Sequence, residues 1–154
     1  MLKYDSTLVT FTEVPDEISL CFNISNCPCH CQDCFEPWLR EDRGDPLTLK
    51  AVCNELEKHP HVTCVCWMGG DADYDMLVRL STALKFIVPS LKIAMYSGRP
   101  EMSFPLANYL DYYKVGPYMP QYGPLNKTIT NQRFYKKVND SWTDITYRFQ
   151  EKKD

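Results

Sequence analysis

Three cysteines, Cys27, Cys31 and Cys34, fall in the spacing C-x₃-C-x₂-C within one short stretch of the chain. Thiolates are soft ligands that suit iron–sulfur clusters and zinc. Three of them on one loop can hold three irons of a cubane and leave the fourth iron open. An open coordination position is what a cluster needs if it is to bind a substrate and not merely carry electrons. Zinc is the alternative. Structural zinc sites usually pair two C-x₂₋₄-C motifs across a longer loop, whereas here Cys27, Cys29, Cys31 and Cys34 crowd into a single run. The later close pair, Cys64 and Cys66, sits in an apolar run and reads as small hydrophobes. Cys21 and Cys53 likewise suit buried positions of a strand and a helix. Cys29 stays open between ligand, redox group and bystander.

The compartment bears on how those thiols are read. The opening segment, residues 1–12, lacks the apolar core of a signal peptide. No stretch is apolar for long enough to span a bilayer. The expectation is a cytoplasmic protein with no membrane partner, where clustered cysteines mean metal or catalysis more often than disulfides. A formal net charge of −3 on 154 residues leaves no basic footprint for nucleic acid. The lysines at 136, 137, 152 and 153 read as solvated surface.

The elements that must position the cysteines follow from periodicity. Residues 18–25 read as a strand with Ile18, Leu20, Phe22 and Ile24 on one face, and the cysteine loop follows at once. Asp45-Pro46 offers an N-cap and a first-turn proline for a helix over 45–59, with Leu49, Val52, Cys53 and Leu56 on one face. Residues 62–68 form a short apolar run ending in Gly69-Gly70, the look of a buried parallel strand. Asp73 or Asp75 caps the next helix, whose stripe is Leu77, Leu80, Leu84 and Ile87. Residues 91–96 make another strand, closed by Ser97-Gly98-Arg99-Pro100; a short helix over 103–110 and a strand over 112–115 follow. Segments 133–138 and 144–149 look like a hairpin turning at Asn139-Asp140. The expected fold is α/β, a single domain over residues 1–154. A closed (β/α)₈ barrel takes ~250 residues, so the expectation is an open partial (β/α) barrel of mainly parallel strands with a C-terminal β-hairpin. Its ligand site belongs at the carboxyl ends of the strands, where the cysteine loop, Gly69-Gly70-Asp71 and Ser97-Gly98 all fall.

The cysteine loop after a first strand, followed by Gly69-Gly70-Asp71 after a second, resembles the radical S-adenosylmethionine (SAM) superfamily. Within it, residues 18–149 are similar to the activating proteins of the anaerobic (class III) ribonucleoside-triphosphate reductase. The marks are Asn26-Cys27-Pro28, Met68-Gly69-Gly70-Asp71, Tyr96-Ser97-Gly98, Val115-Gly116-Pro117-Tyr118 and Thr130-Asn131-Gln132-Arg133. The resemblance implies that Cys27, Cys31 and Cys34 ligate a [4Fe–4S] cluster whose fourth iron is chelated by the amine and carboxylate of SAM. It implies that Asp33, Cys34 and Phe35 lie along the adenosyl group, Asp33 standing where many superfamily members carry an aromatic residue. Gly69 and Gly70 would let the backbone approach the methionyl moiety, Asp71 would support its ammonium group, and Tyr96 and Ser97 would reach SAM from the next strand end. The plainer readings are a strand-ending turn at Gly69-Gly70-Asp71, and a core tyrosine and a helix cap at Tyr96 and Ser97.

The implied reaction is reductive cleavage of SAM to methionine and a 5′-deoxyadenosyl radical, which generates a glycyl radical on the reductase. It asks for no side-chain acid or base, so His30, His59 and His61 need no catalytic role. The implied partners are that reductase and an electron donor such as a flavodoxin-like protein. Two alternatives stand beside this reading. One is a radical SAM enzyme acting on another glycyl-radical enzyme or on a small molecule. The other is a non-catalytic zinc or iron–sulfur interaction module. The last two marks carry no assigned chemistry, with Arg133 and its neighbours as candidates for docking the partner.

Overall fold

The computed structural model describes residues 2–29, 31 and 36–150. Strands β1 (Lys3–Thr10), β2 (Ser19–Ile24), β3 (Asp45–Pro46), β4 (Cys64–Met68), β5 (Lys92–Tyr96), β6 (Tyr112–Val115), β7 (Arg133–Val138) and β8 (Ser141–Asp144) form one sheet, in the order β3-β1-β2-β4-β5-β6-β7-β8. The pairs β2/β4, β4/β5 and β5/β6 are parallel, whereas β1/β3, β1/β2, β6/β7 and β7/β8 are antiparallel. Helices α1 (Leu49–Lys58) and α2 (Tyr74–Ile87) are the two α-helices among the described residues.

The expectation of an α/β partial barrel of mainly parallel strands is therefore corrected. The fold is one mixed, mostly β sheet that does not close, with β3 and β8 at its two edges. Parallel neighbours need crossovers of a dozen or more residues, and the links between β2 and β6 supply them. The 116–132 link is also long, but it brings β7 back antiparallel to β6, and a tight hairpin then leads into β8. The strand β1 came from a segment in which no strand was expected. Between β5 and β6 the expected helix over 103–110 shrinks to a single 3₁₀ turn, Leu106–Tyr109. The closing hairpin is β7–β8, and Thr146–Phe149 is 3₁₀ helix and not strand.

Two local corrections have plain causes. Asp45-Pro46 does not open α1. It is the edge strand β3, pairing with Tyr4 and Lys3 of β1, a place where a proline costs no ladder hydrogen bond. The cap of α1 is Thr48, whose hydroxyl accepts from the Ala51 amide at 3.1 Å. In α2, Asp73 is the cap, and Leu77, Leu80 and Leu84 are buried, but Ile87 in the last turn is 52% exposed.

Alternation sorts the strand residues onto two covered faces. Leu20, Phe22, Val65, Trp67, Ile93, Met95 and Tyr113 pack beneath the helices with Val52, Leu77, Leu80 and Leu84. Cys21, Cys64, Cys66, Ala94, Tyr112 and Phe134 face the other way and meet Val14, Leu125 and Ile145 from the connecting segments. That second layer is tied to the 11–18 connection at both ends of the parallel strands. The Tyr96 hydroxyl donates to the Glu13 carbonyl, Tyr112 donates to Glu17 at 2.9 Å, and Arg148 grips both oxygens of Asp16 at 2.9 and 3.0 Å. Among the described residues, no helix is long and apolar enough to cross a membrane.

Candidate functional site

At the carboxyl ends of β2, β4, β5 and β6 lies a cavity of about 540 Å³, inside the ~300–1,000 Å³ range of small-molecule sites. Cys27, Cys29 and Cys31 line it beside Gly69 and Asp71 from the end of β4, and Tyr96, Ser97 and Gly98 from the end of β5. Three loops far apart in sequence thus share one cavity because parallel strands deliver their carboxyl ends to the same rim.

The cysteine loop leaves β2 through Asn26, which takes a left-handed φ of 59°, a conformation asparagine tolerates better than most residues. The Asn26 amide donates to Glu41 at 3.1 Å and the Cys27 amide to Leu39 at 2.8 Å. The Asn26 side chain adds a bond to Asp42 at 3.0 Å. Buried Leu39, in the 3₁₀ turn Pro37–Arg40, anchors the chain where it returns from the loop, and the Arg40 guanidinium donates to the Cys31 carbonyl at 2.5 Å. The base of the loop is stapled shut, so Cys27 and Cys31 are held at the cavity. Asp33, Cys34, Phe35 and His30 lie outside the described residues.

Asp71 is the hub of the opposite wall and is 6% exposed. Its Oδ1 accepts from the Tyr74 and Ser97 hydroxyls, both at 2.6 Å. Its Oδ2 accepts from the Gly98 amide at 3.1 Å and the Cys29 thiol at 3.4 Å. A carboxylate offers about four lone-pair directions, and this chain takes all four. Asp71 therefore acts as a brace between α2, the β5 end and the cysteine loop. Burial, with the Asp71 charge adding to it, pushes the Cys29 thiol up to about 12.

The two glycines divide the work. Gly69 lines the cavity with φ +98°, its amide bonded to the Tyr96 carbonyl at 3.0 Å. Gly70 turns inward, where an added Cβ would lie 2.9 Å from Leu77 Cδ1. Ser97 spends its hydroxyl on Asp71 and on the Arg99 amide. The Tyr96 ring forms cavity wall while its hydroxyl reaches the 11–18 connection.

Sequence reasoning missed Lys114. It is 7% exposed, and its ammonium donates to the Ser97 carbonyl at 3.0 Å and the Gly116 carbonyl at 2.8 Å. Burial lowers it to about 8, against the opposing pull of the Cys31, Asp71, Cys29 and Cys27 charges. The signal was a lysine in a four-residue strand otherwise made of Tyr112, Tyr113 and Val115. Glu13 and Glu36 also line the cavity, their carboxyls pushed up by burial.

The two marks without chemistry pack against each other. Gly116 takes φ +103°, and a Cβ there would sit 3.1 Å from Gln132 Cα. The Asn131 amide donates to the Pro117 carbonyl at 2.9 Å and the buried Gln132 amide to the Gly116 carbonyl at 3.4 Å. Arg133 bridges to Asp144 at 3.5 Å and to the Thr130 carbonyl at 3.4 Å.

Among the described residues, no three His, Cys, Asp or Glu side chains gather closely enough to hold a metal ion. Two thiols of the C-x₃-C-x₂-C set, Cys27 and Cys31, nevertheless stand at one cavity, and that soft donor pair suits iron–sulfur ligation. Comparison of the chain with protein-family models, with curated proteins and with solved structures finds no match.

Proposed function

We propose that this chain binds a [4Fe–4S] cluster and SAM in the cavity and activates the anaerobic ribonucleoside-triphosphate reductase. The observation that carries the reading is the meeting of the cysteine loop, the Gly69-Gly70-Asp71 turn and the Tyr96-Ser97-Gly98 turn at one cavity. A simple metal module has no use for the last two. When bound, the cluster supplies the electron that cleaves SAM to methionine and a 5′-deoxyadenosyl radical, which takes a hydrogen atom from a backbone glycine of the reductase.

The chain's own residues hold and shield. Cys27 and Cys31, with Cys34, are the cluster ligands. Gly69 leaves its backbone open to the methionyl moiety, and Asp33, Cys34 and Phe35 are assigned to the adenosyl group by resemblance. Asp71 contributes by bracing the walls, because its oxygens are already engaged. The Lys114 ammonium offsets the negative charge of the thiolates through a poorly screened interior. Met68, Leu125 and Phe149 give the cavity an apolar wall that disfavours water there.

The test of the partner is an electron paramagnetic resonance experiment. The anaerobically reconstituted protein is mixed with purified reductase, SAM and a flavodoxin-type or chemical reductant. The reading predicts a glycyl-radical signal on the reductase that needs every component. SAM cleavage without that signal would reassign the substrate to another glycyl-radical enzyme or a small molecule.

A further inference from the structure

Cys29 sits inside the cysteine loop, yet the spacing of the other three thiols leaves it without a task. Its surroundings supply one. Its Sγ lies 3.4 Å from Asp71 Oδ2, across 42 residues of sequence. It also occupies a slot that exists because residue 98 is glycine. A Cβ there would lie 2.8 Å from both the Cβ and the Sγ of Cys29, and 3.8 Å from the Sγ of Cys31. Contacts at 2.8 Å cannot be relieved while the Cys29 backbone stays close, since one of the two atoms is the Cβ itself.

The receiving side is rigid without the loop. Tyr74 and Ser97 hold Asp71 Oδ1, and the Gly98 amide holds Oδ2. The carboxylate is therefore aimed before Cys29 arrives. The loop's own staples hold the backbone at Asn26, Cys27 and, through Arg40, the Cys31 carbonyl; Cys29 lies between those points, and the partner of its thiol is Asp71.

We propose that Cys29 is a positioning residue: its thiol latches the cysteine loop onto the Asp71 carboxylate, in the slot left by Gly98, and so presents the Cys27 and Cys31 sulfurs to the cavity. The purpose of the latch rests on the cluster reading above, whereas the latch itself is a property of the metal-free chain. Cys29 is then neither a cluster ligand nor a bystander.

The test reads thiol reactivity in the metal-free, reduced protein. Iodoacetamide alkylation of Cys27 and Cys31 is followed by peptide mass spectrometry in wild type, Cys29→Ala, Cys29→Ser and Gly98→Ala. Cys29→Ala removes the donor at little change in bulk and is expected to speed alkylation of Cys27 and Cys31 about five- to tenfold, the scale of one hydrogen bond from a weak thiol donor. Cys29→Ser restores a donor and returns the rates to within about twofold of wild type. Gly98→Ala fills the slot and reproduces the Cys29→Ala rates. The melting temperature, followed in parallel, stays at the wild-type value in the two Cys29 variants, because the latch holds a loop and not the core. Equal rates in wild type and Cys29→Ala overturn the proposal.

Iron content after reconstitution gives the second arm. Cys29→Ser is expected to keep the wild-type iron content. Loss of iron in both Cys29 variants would make Cys29 a ligand and also overturn the latch. A wild-type protein that takes up no cluster fails the cluster reading alone, and the alkylation rates still decide the latch.

Discussion

Asp71 and Lys114 are buried charges that both bond to the turn after β5, Asp71 through the Ser97 hydroxyl and Gly98 amide and Lys114 through the Ser97 carbonyl. Asp71→Ala would strand the Tyr74 and Ser97 hydroxyls and the Gly98 amide at once, so it should cost about 3 kcal/mol of unfolding free energy in urea titrations. Asp71→Asn keeps the shape and should lose less. Lys114 makes a pH-dependent prediction. Its folded-state pKa is lowered to about 8 from the ordinary 10.5, so between those values the unfolded chain binds more protons than the folded one. Its contribution to stability therefore rises with pH across that window. The stability difference between wild type and Lys114→Met, measured in urea from pH 7.5 to 10.5, should grow in favour of wild type; a flat difference would show that the ammonium is not buried. At this scale the sequence named Asp71 and Ser97 as site residues but could not assign their partners, because four hydrogen bonds onto one carboxylate are long-range facts. Lys114 was legible in principle, since period-two alternation places it on the same strand face as Tyr112.

The turn that closes β6 onto β7 joins two sequence marks into one structural device. Gly116 needs its positive φ and has no room for a side chain against the backbone of Gln132. Gly116→Ala should cost about 1–3 kcal/mol, read as a lowered urea midpoint with unchanged slope. An unaffected midpoint would mean the bracket is dispensable. Sequence periodicity located β2, β4, β5, β6 and β7 to within a residue or two: β2, β4 and β5 carry compact apolar runs, and β6 and β7 are rich in aromatic and β-branched residues beside turn signals. It failed at β1, where Lys3, Asp5, Ser6 and Thr7 interleave with Tyr4, Leu8 and Val9. That strand borders the cavity through Leu8 and pairs with only a two-residue edge strand on one side, so no clean apolar stripe is selected. It failed again at Asp45-Pro46, whose local chemistry suits a helix start, because the neighbouring β1 that recruits it was invisible.

The molecule as a whole is a mixed sheet whose parallel centre builds the site and whose antiparallel flanks complete the cavity. The step from strand–helix alternation to a mainly parallel barrel went wrong at the two flanks of the sheet. β1 and β3 add antiparallel strands on one side, and β7 and β8 return antiparallel on the other. The rule that ligand sites sit at carboxyl ends of parallel strands survives that correction, since it needs only β2, β4, β5 and β6. The central claim is that this rim holds a cluster that cleaves SAM, and one measurement addresses it directly. Iron and sulfide are reconstituted anaerobically, the protein is reduced, SAM is added, and 5′-deoxyadenosine is sought by chromatography. A control carries alanine at Cys27, Cys31 and Cys34. The account predicts 5′-deoxyadenosine from the wild type and none from the control. No cleavage by a wild-type protein with a spectroscopically intact cluster would contradict it, and would leave a metal-binding interaction module in its place.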